Sequence, residues 1–302
     1  MSPSPPSLQP ALLGWADRSL RNLPWRLTRD PWAILVAETM LQQTQVSRVI
    51  ERWTQFLERF PDPASCAGAT PADLLREWAG LGYNRRALML HRAAIAIHQN
   101  HGGRVPVELD DLLALPGVGP YTARAIRAFA HEEPAAPVDT NIGRVLARLG
   151  GRRLTPGAAQ RLADELAPHD QVWLWNQGIM ELGALVCTKR APSCAACPVV
   201  EVCQWQGSGP DPAEGSAAVG RPQARFVGSD RQLRGQVIEL LRAGPAPTSA
   251  VDSAVAPTDP ARRARVVEGL LADELIERTD EGLALVGDQL GPVSDASSAS
   301  IA

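Results

Sequence analysis

Lysine is nearly missing from this chain. Lys189 is the only one in 302 residues, and the other basic side chains are arginines. Aromatic residues are also few, at 5%. No run of about eighteen apolar residues occurs, which excludes a membrane-spanning helix. The opening segment MSPSPPSLQP has no basic region followed by an apolar core, so no secretory signal is expected and the cytoplasm is the default location. A net charge of −3 does not advertise a nucleic-acid binder. Arginines are nonetheless plentiful between Arg48 and Arg153, so a local basic face is open. The 45% hydrophobic content is ample for a core, and the length suits two domains or one large and one small.

One stretch organises the rest, LLALPGVGPYTARAIRAFAHEEPAAPVDTNIGRV from Leu112 to Val145. Two apolar helical segments flank the tight loop Pro116-Gly117-Val118-Gly119. Its glycines permit unusual backbone conformations and close approach to another molecule. Pro120 suits a first helical turn, so a helix is expected from near Tyr121. Its free N–H groups make an anion site that fits a nucleic-acid phosphate. About twenty residues on, Asp139 opens another helix running through Leu149. Aspartate there is also the ordinary helix cap, and Tyr121 is equally a packing residue.

Upstream, Asp30-Pro31 marks a helix start. Ile34, Glu38, Leu41 and Gln45 share one face of the helix that follows. A carboxyl set among Ile34, Leu35, Val36, Met40 and Leu41 is poorly solvated, which raises its pKa and makes it a proton donor near neutrality. A core ion pair with an arginine is the alternative. Gln42-Gln43-Thr44-Gln45 is either a solvated helix end or a set of groups aimed at base edges. Tyr83, on the Gly-rich turn Gly80-Leu81-Gly82-Tyr83-Asn84-Arg85-Arg86, suits base stacking with phosphate contacts from the two arginines alongside, or packing on its own domain. Helical patterns run through Ala11–Leu20, Val46–Phe60, Ala72–Ala79, Arg85–Gln99, Leu109–Leu115 and Trp173–Leu185, and no strand pattern interrupts the first two hundred residues. This part is expected to be all-α.

Cys66 stands alone and reads as a small buried hydrophobe. Cys187, Cys194, Cys197 and Cys203 have six, two and five residues between them. In a cytosolic chain that crowding means metal before disulfides. Zinc sites often use two separated Cys-x-x-Cys pairs. Only one such pair occurs here, so an iron–sulfur cluster fits better, although spacing alone does not choose the metal.

By composition, residues 1–10 are expected to be a disordered tail, 11–205 the main helical domain, 206–222 a linker and 288–302 a second tail. Between the last two, residues 223–287 read as three helices (Arg231–Arg242, Ser249–Val255, Pro260–Asp273) and a hairpin around Thr279–Gly282, a small winged-helix-like module.

Together, LPGVGPYTA, VDTN and the four cysteines resemble the helix-hairpin-helix DNA glycosylases that carry a 4Fe–4S cluster. AETMLQQTQV, LGYNRRA and WNQGIMELGALVC resemble their adenine glycosylase branch. The resemblance spans roughly Trp15 to Trp205. The C-terminal part resembles the short tail of actinobacterial members rather than a Nudix-like domain. The resemblance implies two helical subdomains with a helix-hairpin-helix and an iron–sulfur loop. It implies that Glu38 protonates the adenine, that Asp139 stabilises the sugar cation, and that Tyr121 and Asn141 line the site. Trp25, Arg26, Leu41 and Glu181 fall in the base pocket. Gln42, Gln43, Thr44, Tyr83, Arg85 and Arg86 fall on the DNA, with Gln43 and Tyr83 inserted at the lesion pair. Gly117, Val118 and Gly119 grip phosphate, and the four clustered cysteines hold one 4Fe–4S cluster. The implied partner is duplex DNA with adenine opposite 8-oxoguanine or guanine, met by a monomer in the bacterial cytoplasm. Two readings compete. One is a uracil or thymine mismatch glycosylase or endonuclease III-like enzyme; the other is a non-catalytic DNA-binding iron–sulfur protein.

Endonuclease III-like relatives place a strand-cutting lysine where this chain has Tyr121, and here no lysine lies near the hairpin. The resemblance therefore predicts base removal that leaves an intact strand with an abasic site. Product DNA should break only after alkali or heat; breaks formed without either would contradict this.

Overall fold

The computed structural model describes residues 5–216 and 225–289. The expected tails and linker fall outside this range at residues 1–4, 217–222 and 290–302. In chain order the helices are α1 (Pro5–Ser19), α2 (Pro31–Leu41), α3 (Val46–Arg59), α4 (Pro63–Ala67), α5 (Pro71–Glu77), α6 (Arg85–Asn100) and α7 (Leu109–Ala114). There follow α8 (Pro120–Ala130), α9 (Thr140–Leu149), α10 (Pro156–Leu166), α11 (Val172–Leu185), α12 (Asp230–Leu241), α13 (Thr248–Ala254) and α14 (Pro260–Ala272). A hairpin of β1 (Ile276–Thr279) and β2 (Gly282–Leu285) ends the series and is the one sheet among the described residues. The chain is all-helical up to that hairpin, as its periodicity predicts. Among the described residues no helix is long and apolar enough to cross a membrane.

The chain forms two compact units. Within the described residues, one takes everything up to Glu38, then Pro106–Ala114 and 118–216. The other takes Thr39–Val105, Leu115–Gly117 and 225–289. The first unit is built on α1, α9, α10 and α11, whose Leu8, Leu12, Ile142, Leu146, Leu162 and Trp175 are part of one apolar core. Helix α1 begins at Pro5, not Ala11, and Leu8 is buried, so residues 5–10 are not the tail expected of them. Helix α10 has no counterpart in the periodicity reading. Its signal is the cap: the Thr155 side chain accepts from the Ala158 N–H, with Pro156 at the first position. The stretch expected to be a linker is also tied down as far as Ser216. Asp211 pairs with Arg148 at 2.7 Å, and the Ser216 hydroxyl accepts from the Leu154 N–H at 3.1 Å.

In the second unit, α3, α5 and α6 bury Trp53, Phe56, Leu74, Leu75 and Leu88, and the Phe56 and Trp78 rings meet edge to face at 6.1 Å. The C-terminal helices and hairpin build onto α5. The Ala72 N–H donates to the Val286 carbonyl, Arg242 Nε donates to the Leu75 carbonyl, and Arg76 pairs with Asp288 at 2.6 Å. In the hairpin, Ile276 faces Leu285 and Thr279 faces Gly282.

Helices α1 and α11 approach so closely that a Cβ at Gly178 would stand 2.8 Å from the Ala16 Cβ. Gly178→Val is therefore expected to destabilise the protein by about 1–3 kcal/mol through overpacking. A urea midpoint at or above that of the wild type would refute this packing.

Candidate active site

Four elements of the first unit bring Glu38 together with its partners. Helix α2 starts where the Asp30 carboxylate accepts the Trp32 N–H at 3.0 Å. It then runs through buried Ala33–Ala37, which carries Glu38 inward to 5% exposure. Helix α8 starts at Pro120 after Gly119 and places Tyr121 so that its hydroxyl hydrogen-bonds the Glu38 carboxyl. The start of α9 supplies Asp139, and the short turn Pro24–Arg26 supplies Arg26. Burial pushes the Glu38 carboxyl up to about 7. The Tyr121 hydrogen bond opposes this, the Asp139 charge adds to it, and Arg26 opposes it more weakly. Burial likewise raises the Tyr121 hydroxyl well above its usual value, helped by Glu38 and Asp139. The structure thus places Tyr121 on Glu38 and Asp139 within electrostatic reach of it.

Asp139 is the cap of α9. Its Oδ1 accepts from the backbone N–H groups of Asn141 (2.9 Å) and Ile142 (2.7 Å), and its Oδ2 accepts from Asn141 Nδ2 (3.0 Å). These bonds fix its side chain at the start of α9, close enough to Glu38 to act on it electrostatically. Arg144, buried at 5% exposure, extends the chain of contacts. It donates to Asn141 Oδ1 (3.0 Å), the Gly183 carbonyl (2.6 Å) and the Cys187 carbonyl (2.8 Å). Arg144 was not anticipated; an arginine inside an otherwise apolar helical face, three residues after Asn141, was the available signal.

Glu181 is fully engaged. It accepts from Arg21 Nε at 2.6 Å and Arg21 Nη2 at 3.0 Å, and from Arg26 Nη2 at 2.9 Å. Against the opposing effect of burial, these two arginines hold its carboxyl down at about 2. Its place is therefore a clamp on Arg26, which also donates to Gln177 at 2.7 Å. Trp25 is buried beside Arg26 in the same turn, and Leu41 ends α2 half-buried.

In the second unit the polar run and the tyrosine occupy strained turns. Gln43 and Tyr83 have φ of +58° and +48°, a region that non-glycine residues rarely enter. Gln43 is exposed, and Tyr83 is 39% exposed. Arg86 does not face outward as expected of a DNA contact. Its guanidinium donates to the carbonyls of Thr39, Met40 and Gln42 and to Thr44 Oγ1, Leu81 and Gly82. It gathers the end of α2 and the 80–83 turn, satisfying carbonyls that helix termini leave open. Thr44 is thereby held inward, while Gln42 stays half-buried. Arg85 is largely exposed, 3.5 Å from Asp273. Gly117 has φ +78°, and a Cβ there would stand 2.6 Å from Met89 Cβ, so glycine is required. Val118 is buried, and Gly119 caps α8 without any side-chain hydrogen bond.

Cys187, Cys194, Cys197 and Cys203 line one cavity, with Arg148 and Trp205 beside them. Arg148 donates to Cys187 Sγ at 3.3 Å and lies 4.6 Å over the Trp205 ring. Among the described residues no group of three or more His, Cys, Asp or Glu side chains is placed to hold a single metal ion. Cys66 is apart from them and fully buried, its thiol pushed up to about 12 by burial.

These features define a helix-hairpin-helix protein with a buried acid beside a helix-capping carboxylate. Residues 36–169 match the HhH-GPD superfamily of base excision DNA repair proteins. An adenine DNA glycosylase of Mycobacterium tuberculosis is 43% identical over 286 residues, covering 92% of this chain and 93% of that protein. The human adenine DNA glycosylase is 38% identical, covering 64% of this chain and 38% of its own. A thermostable thymine-DNA glycosylase has a similar structure, with a TM-score of 0.61 and 29% identity over 66% of this chain and 94% of its own. An endonuclease III–DNA complex shares the fold at a TM-score of 0.59 and 22% identity, over 68% of this chain and 97% of that one. The chain belongs to the adenine DNA glycosylase family of this superfamily.

The folded Glu38 carboxyl keeps its proton up to about 7, whereas an unfolded one releases it near 4.5. The native state therefore loses stability as pH rises through that window. Glu38→Gln is expected to be more stable than wild type at pH 8 by up to roughly 3 kcal/mol, with the gain shrinking towards pH 5. The same difference at both pH values, read from urea unfolding, would contradict a buried protonated acid.

Proposed function

We propose that this protein is a monofunctional DNA glycosylase that excises adenine mispaired with 8-oxoguanine or guanine. The observation that carries this reading is the buried Glu38 carboxyl, hydrogen-bonded by Tyr121 and holding its proton up to about 7, beside the capped side chain of Asp139. Adenine leaves poorly as an anion, and protonation of N7 by Glu38 makes it a good leaving group. As the C1′–N9 bond breaks, positive charge develops on the sugar. Asp139 stabilises that charge, as the second carboxylate does in other glycoside cleavages. Water then adds at C1′, its proton passing to the Glu38 carboxylate, and leaves an abasic site. Tyr121 orients the Glu38 carboxyl through its hydroxyl, and the Arg21–Glu181–Arg26 network fixes Arg26 beside it. The substrate base must leave the duplex to reach these groups. Gln43 and Tyr83, on exposed strained turns, are suited to fill the gap.

The residues around the cysteine cavity fit an iron–sulfur cluster. Burial pushes the Cys187 thiol up, and Cys197 is pushed up to about 11 by burial and by its three cysteine neighbours. A metal centre that binds thiolates removes that conflict. Cys187, Cys194, Cys197 and Cys203 would hold the 4Fe–4S cluster, which supplies a rigid crosslink for the 187–203 loop. Arg144 then ties that loop to Asn141, and so to Asp139.

Incubation with a duplex carrying adenine opposite 8-oxoguanine, followed by hot alkali, is expected to give cleavage at the adenine. Excision should slow as pH rises through about 7, because the protonated form of Glu38 is lost. Glu38→Gln and Asp139→Asn should each reduce the rate by about 10²–10⁴-fold while still binding DNA. Release of thymine or uracil from mispairs with guanine, with adenine left in place, would favour the mismatch-glycosylase reading. Binding without base release by wild type and Glu38→Gln alike would favour a non-catalytic protein.

A further inference from the structure

The C-terminal region reaches the Tyr83 turn within the second unit. Arg231, in the first turn of α12, donates from Nη1 to the Tyr83 hydroxyl at 2.6 Å. Its guanidinium also lies 5.8 Å over the Tyr83 ring and 5.9 Å over the Phe226 ring. Phe226 and Val227, just before α12, are 55% and 77% exposed. Exposed apolar side chains on a floppy segment would signify little, but this turn is braced. The Ser229 hydroxyl donates to the Phe226 carbonyl, the Gly228 N–H donates to Gln232 Oε1, and Arg262 donates to both the Gly228 carbonyl and Asp230. A strained, half-exposed tyrosine, an arginine on its hydroxyl, and Phe226 under the same guanidinium therefore lie together, with exposed Val227 next to Phe226 in the chain. Aromatic and apolar faces interleaved with a guanidinium are the chemistry that receives unstacked bases.

We propose that residues 226–231 form the second half of the wedge that enters DNA at the mispair. Arg231 is a positioning residue for Tyr83, and Phe226 with Val227 offers an apolar face to the neighbouring base. The inference rests on the mispair-excision reading above. It gives the C-terminal region a direct part in lesion recognition.

The test is equilibrium binding to two duplexes. One carries 2′-fluoroadenosine, which resists cleavage, opposite 8-oxoguanine; the other is fully paired. Arg231→Ala is expected to weaken binding to the mispaired duplex about tenfold and to the paired duplex by about twofold or less. Tyr83→Phe should cause a similar selective loss, and Arg231→Ala added to Tyr83→Phe should cost little more. Phe226→Ala should weaken mispair binding by about tenfold. Arg231→Gln, which keeps a donor on a shorter stem, should recover part of the loss, and thermal melting shows whether each variant folds. Equal losses on both duplexes, or additive losses for Arg231→Ala and Tyr83→Phe, would make Arg231 a plain phosphate contact. Either would overturn the proposal and leave the excision reading intact. A wild-type protein that does not distinguish the two duplexes would overturn both.

Discussion

A carboxyl group removed from water holds its proton or finds a counter-charge. At Glu38 the fold does both in part: the apolar flank of α2 excludes water, while Tyr121 and Arg26 prevent the group from becoming wholly inert. The balance leaves it half-ionised near neutral pH, where a proton donor is most effective. Asp139 is held differently, by the N–H groups of Asn141 and Ile142 and by the Asn141 amide at the start of α9. The two carboxyl groups sit in different surroundings, one on the buried flank of α2 and one in the cap of α9.

Helix α9 is where the parts meet. Its cap is Asp139, its first turn carries Asn141, and one turn further Arg144 reaches the carbonyl of Cys187. The next turn brings Arg148 to the same cysteine and to Asp211. A disturbance of the 187–203 loop therefore has a short, hydrogen-bonded route to the capped carboxylate. The buried arginines lie in the first unit, and each is matched to carbonyls or a carboxylate, as buried guanidinium groups must be. Lysine would serve poorly at Arg144, since a compact ammonium does not match acceptors spread along a planar guanidinium fork.

Much of this was legible in the sequence because it is local. Proline-led starts, the apolar stripe around Glu38, the Gly117 loop and the Asp139 cap each follow from neighbours a few residues away. What escaped was long-range. Arg86 sits beside Tyr83 in a turn that looks made for phosphate, yet it folds back on carbonyls from residues 39–44. Glu181 reads as a pocket acceptor until Arg21 and Arg26, some 155–160 residues earlier in the chain, occupy it. The stretch around Asp211 and Ser216 has linker composition, but one ion pair and one hydrogen bond fix it. Composition reports solvation preferences; it does not report which distant donor will meet them. The contact between Arg231 and Tyr83 is of the same kind.

The central claim concerns the protonation state of one side chain, and it can be observed without any substrate. Carboxyl carbons of glutamate, labelled with ¹³C and assigned by comparison with Glu38→Gln, should show one resonance that titrates at about 7. The same resonance titrating near 4.5, the ordinary value, would mean that Glu38 is a solvated anion at neutral pH. The acid–carboxylate mechanism would then lose its proton donor.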